Sequence, residues 1–130
     1  MSDSELLEVH DGGFVCALEA DCVLEITAAT DHSGPSPRLC GAIAQEPPQA
    51  SVEAARVCVL QTAAGRGAFA VEHVLGFVRV ASDARLSLPP LLERHCPYIR
   101  GVVETGHGNA LVVDHERLVA VWNARHGELT

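Results

Sequence analysis

Short apolar runs hinged on glycine turns recur along the chain, and this repeat restricts the fold more than any other feature. Leu7 and Val9 alternate with Glu8 and His10, Asp11-Gly12-Gly13 turns the chain, and Phe14, Cys16 and Leu18 then share one face. Successive side chains switch faces along a strand, so alternation on both sides of a glycine turn predicts a β-hairpin over residues 5–18. The pattern repeats where Gly65-Arg66-Gly67 separates the runs 57–61 and 68–71. It repeats again where Gly106-His107-Gly108-Asn109 separates 99–104 from 110–113, with the β-branched flanks that strands favour. Residues 74–80 read as one more apolar strand.

The order of these elements repeats as well. Strand, glycine turn and strand lead into Val23-Leu24-Glu25-Ile26 in the first half and into Val74-Leu75-Gly76-Phe77 in the second. Further on, Pro37-Arg38-Leu39-Cys40-Gly41-Ala42 is echoed by Pro97-Tyr98-Ile99-Arg100-Gly101-Val102. The chain therefore reads as one domain of two related halves, 5–50 and 56–114. A pair of small barrels is the expected architecture, because closing each sheet removes the edges that invite aggregation. Residues 21–26 fit either a helical turn or a strand. Gly34, Pro35 and Pro37 predict a loop over 30–38, Pro47-Pro48 another over 46–49, and 86–97 a proline-bounded connection. After Asp114, a candidate N-cap, Leu118, Val121, Trp122 and Arg125 fall at spacings of three and four. That spacing predicts an amphipathic C-terminal helix over 115–126, stopped at Gly127.

At 130 residues, nearly half of them apolar, the chain is long enough to bury a core without disulfides or metal. A net charge of -8 and few aromatic residues set it against a nucleic-acid partner. The acidic opening MSDSELLEVH lacks the basic and apolar regions of a signal peptide, and no run is long enough to insert in a bilayer. A cytoplasmic location is expected.

The residue types of metal and thiol chemistry are present without the spacing. Five cysteines lie singly, with no CxxC pair, and read as buried small hydrophobes. Asp114-His115-Glu116 and His95-Cys96 contain possible ligands, but no His-x-x-x-His occurs, so the reading contains no metal, no cofactor and no catalytic residue. A small metal- or thiol-dependent enzyme using Cys and His residues is the alternative, since such groups meet in space rather than along the chain.

The run from Ala68 to Val80, AFAVEHVLGFVRV, followed by Leu88-Pro89-Pro90, Tyr98-Ile99-Arg100-Gly101-Val102 and Leu111-Val112-Val113-Asp114, resembles the second half of CheW-like chemotaxis coupling domains. Phe14-Val15-Cys16-Ala17-Leu18 and Val23-Leu24-Glu25-Ile26 resemble the opening strands of that family. The resemblance covers most of the chain and implies a mainly β fold of two intertwined SH3-like small barrels. It also implies a non-catalytic adaptor bridging a chemoreceptor (methyl-accepting protein) cytoplasmic tip to a histidine kinase regulatory domain or another CheW-like protein. By the same resemblance Val23, Glu25, Ile26, Glu72 and Val74 are candidate partner-binding residues. One departure is large. Where the family continues with asparagine-leucine-arginine-glycine, this chain reads Ala42-Ile43-Ala44-Gln45-Glu46-Pro47-Pro48, and Glu46 holds the place of the family arginine. Glu46 is therefore a sixth candidate. The first barrel is expected to be reduced by about two strands, as in a shortened, FrzB-like member, which weakens ordinary kinase coupling and leaves a strand edge open to self-association.

Overall fold

A computed structural model describes residues 3–28, 30, 37–44 and 56–126. Strands β1 (Asp3–Asp11) and β2 (Phe14–Glu19) form the first hairpin, paired from Leu6↔Glu19 to Asp11↔Phe14. The two residues between them, Gly12 and Gly13, both have positive φ (61° and 85°), as a type I′ turn demands. A Cβ on Gly12 would also stand 2.8 Å from the Cys40 Sγ. Gly12→Ala is accordingly expected to lower stability by about 1–2 kcal/mol, read as an earlier urea midpoint with an unchanged slope.

The stretch 21–26, which fits two readings by sequence, forms a 3-10 turn (Ala20–Cys22) and then β3 (Val23–Ala28). The short helix α1 (Leu39–Ile43) follows, then the second hairpin of β4 (Arg56–Thr62) and β5 (Gly65–Val71), and β6 (His73–Ala81). The proline-bounded connection contains the two-residue β7 (Arg85–Leu86) and helix α2 (Pro90–His95). The third hairpin joins β8 (Ile99–Thr105) to β9 (Gly108–Val113), and α3 (His115–His126) closes the described chain. The loop expected over 46–49 and the stop at Gly127 lie outside the described residues.

The repeated order survives in space as an exchange. Each hairpin is followed by a third strand, and each third strand pairs with the other hairpin. β3 joins β4 and β5 in a three-stranded sheet, while β6 joins β1 in a six-stranded sheet ordered β6-β1-β2-β9-β8-β7. The parallel β2–β9 pair, Val15↔Ala110 to Ala17↔Val112, ties the first hairpin to the last.

This exchange places β1 and β2 between two cores. Leu7, Val9, Cys16 and Leu18 face the larger core, built with Cys58, Leu60 and Phe69 from the small sheet and with Leu118 and Val119 of α3. Leu6 and Ala17, on the opposite faces, join Val80, Val103, Ala110 and Val112 in the smaller core. Leu6, Leu7, Glu8 and Val9 are consequently all buried, a pattern of strands covered on both faces. The alternation seen in the sequence holds as geometry, but its polar side is not the wet side.

Asp114 caps α3 as expected, its Oδ1 accepting the Arg117 N–H at 3.1 Å. Leu118 faces the larger core as the spacing predicts, joined by Val119, with Val121 and Trp122 at its margin. The Trp122 ring meets Phe69 edge-on, with centroids 6.1 Å apart. No helix among the described residues is long and apolar enough to cross a membrane.

Candidate docking surface

Val23, Ile26 and Val74 all border the larger core. Each is partly buried and packs against its margin, the first two from β3 and the third from β6. Between Val23 and Glu25 the β3–β4 register slips, pairing Val23 with Leu60 and Glu25 with Val59. A bulge of this kind bends a strand and re-aims a side chain. Here Leu24 is left 51% exposed, next to the exposed Glu25. The result is a rim along β3 of half-buried Val23 and Ile26, with Leu24 and Glu25 exposed between them. Among the described residues β3 pairs only with β4, and β6 pairs only with β1.

Glu72 serves a different purpose at close range. Its Oε1 accepts hydrogen bonds from the Gly12 N–H at 2.7 Å and from the Arg38 Nη2 at 3.0 Å. Its own N–H donates to the Asp11 Oδ1 at 3.1 Å. The side chain is thereby turned toward the β1–β2 turn, at the junction where the chain passes from one sheet to the other. Glu46 lies outside the described residues.

Asp11 is the centre of that network, and the sequence reading takes it only as a turn residue. Its side chain is fully buried, yet it accepts from the Arg38 Nε at 2.8 Å, from the Arg38 Nη2, and from the Cys40 N–H at 2.9 Å. The last bond satisfies a donor in the first turn of α1, the work usually done by a helix's own N-cap side chain. Arg38 occupies that cap position and makes no side-chain cap bond of its own. Its guanidinium pKa is raised further, chiefly by the Asp11 hydrogen bond. A second buried carboxylate, Glu8 at 2% exposure, accepts from the Thr105 hydroxyl at 2.6 Å and lies 3.0 Å from the His107 Nδ1. No motif advertises either cluster, because the partners come from separate parts of the chain.

The thiols bear on the enzymatic alternative. Burial pushes Cys16 and Cys22 up to about 12, and Cys40 and Cys58 up to about 11. A thiol nucleophile acts as thiolate, so these four are inert near neutral pH. Their raised values also predict an alkaline weakness. The unfolded thiols ionise near 9.0 while the folded ones hold their protons, so this stability is complete below pH 9 and is lost as the pH rises toward 11 and 12. Urea midpoints measured from pH 8 to 11 should fall across that window, and Cys58→Ala should flatten the fall. Among the described residues no group of three or more His, Cys, Asp or Glu could hold a metal ion.

No family model and no curated protein matches the chain. A solved structure does match: the scaffolding protein TtCheW from Thermoanaerobacter tengcongensis superposes with a TM-score of 0.72. The match covers 99% of this chain and 98% of that one, at 10% sequence identity. The fold is therefore CheW-like. Its two SH3-like barrels correspond to the six-stranded and three-stranded sheets, intertwined through the exchange of β3 and β6.

Proposed function

We propose that this protein is a non-catalytic adaptor of a bacterial chemosensory system, linking chemoreceptor tips to a histidine kinase or to other CheW-like modules in an array. The observation that carries this reading is the end-to-end agreement of its backbone with a scaffolding protein. Support comes from β3, where half-buried Val23 and Ile26 form an apolar rim beside the exposed Glu25, and from Val74, which borders the same core from β6. Such a rim suits the apolar face and basic flank of a helical partner. Ordinary kinase coupling is reduced in this reading, because residues 42–48 replace the family's asparagine-leucine-arginine-glycine and Glu46 reverses a charge. A strand from a second copy or another CheW-like module fits the outer side of β3, where main-chain hydrogen bonds would supply affinity.

The test is titration of an immobilised chemoreceptor cytoplasmic tip with the full chain. Saturable binding is expected, and Glu25→Lys should weaken it at least about tenfold, a change of about 1.4 kcal/mol. An unchanged affinity in that variant, with its melting temperature preserved, removes Glu25 from the interface. No binding by the unsubstituted chain contradicts the receptor-linking role.

A further inference from the structure

Residues 10 and 73 lie far apart in the sequence and in different halves of its repeat, but the β1–β6 ladder sets them directly opposite each other. Their imidazole centroids are 6.2 Å apart with the rings inclined at 36°. Zinc holds imidazole nitrogen at about 2.0–2.1 Å, which leaves the centroids of two ligating rings roughly 5–6 Å apart. A small rotation of either ring closes the difference.

The His10 Nδ1 is buried and makes no hydrogen bond. An orphaned buried nitrogen calls for a partner, and in neutral imidazole the unprotonated nitrogen is a metal ligand. His73 is exposed, so an ion can reach its ring from solvent, and a turn of the half-buried His10 ring would bring the orphaned nitrogen to that ion. The net charge of -8 favours cation approach.

We propose that His10 and His73 form a two-histidine site for a divalent transition metal, with zinc the ion of choice among imidazole-preferring cations. Water completes the coordination, since no third ligand among the described residues stands close enough. The site is therefore weaker than a structural centre closed by four protein ligands. Its effect is mechanical. The ion joins β6 to β1, the pairing through which the third strand of the second hairpin is held by the first, and it does so beside the bulge at Glu8/Val9. The proposal is independent of the adaptor role, because it concerns the β1–β6 pairing alone.

Calorimetric titration of the metal-free full chain with zinc chloride tests it, with thermal unfolding followed in parallel. One saturable site and a zinc-dependent rise in melting temperature are expected. His73→Gln changes an exposed side chain, so the fold is kept, and it should weaken zinc binding at least tenfold and abolish the rise. His95→Gln, on the separate helix α2, should leave the affinity within twofold. Zinc binding by His73→Gln as tight as that of the unsubstituted chain overturns the proposal, and so does the absence of any saturable site.

Discussion

Asp11→Ala is expected to cost about 3–5 kcal/mol of folding stability, the usual penalty for removing one partner of a buried ion pair. Four donor bonds converge on this one carboxylate, two from Arg38 and one each from the backbone N–H groups of Cys40 and Glu72. Removing it strands both backbone donors and leaves the half-buried guanidinium with Glu72 alone. Against a total stability of about 5–15 kcal/mol for a domain of this size, the loss is severe. Arg38→Ala makes the converse experiment, leaving a fully buried carboxylate with only backbone donors, and a similar loss is expected. Urea unfolding of both variants and of the double variant measures the coupling between them. A loss below about 1 kcal/mol for Asp11→Ala would mean that the network adds little beyond its geometry.

Phe69→Ala is the second large effect, at about 3–5 kcal/mol, as for other truncations of a buried aromatic. Phe69 is fully buried in the larger core, beneath α3, and its ring receives the edge of Trp122. The helix keeps a polar anchor in the bond from the Asn123 side chain to the Arg66 carbonyl. The truncated variant should therefore retain its strands while α3 loosens. Tryptophan fluorescence would show this as a red shift of Trp122 at denaturant concentrations where the far-ultraviolet strand signal is still intact. Coincident loss of both signals would show instead that α3 and the sheets unfold as one unit.

The hairpins and α3 were legible because their signals are local. A glycine pair between alternating runs specifies a turn wherever the chain later goes, and Asp114 caps its own helix. The resemblance implied intertwined barrels but not the exchange of β3 and β6, since the pairing of Val23 with Leu60 or Val9 with Val74 depends on which apolar faces meet in three dimensions. Glu8 shows the limit most plainly. Period-two alternation places it opposite Leu7 and Val9, and nothing in the sequence says that this second face is also covered. Among the candidate docking residues, Val23 and Ile26 lie together on β3 and Val74 borders the same core from β6, whereas Glu72 is engaged by Gly12 and Arg38. That engagement had no sequence signature, because its partners arrive from the β1–β2 turn and from the residue preceding α1.

The buried network also has a place in the adaptor account. It joins the first turn, α1 and the β5–β6 junction, so it fixes how the two sheets stand at the point where the chain crosses between them. Val74 borders the larger core and lies two residues beyond Glu72. A setting held by four converging bonds keeps such a surface preformed, and a preformed surface loses less entropy on docking.

The most direct measurement of the adaptor claim is sedimentation of the full chain with a chemoreceptor cytoplasmic tip, with an intact histidine kinase, and with both together. The receptor tip should co-sediment with the chain, and kinase activity in the three-component mixture should not rise as a full coupling protein would raise it. A chain that sediments alone in every mixture, at protein concentrations where scaffolding modules associate, would contradict it.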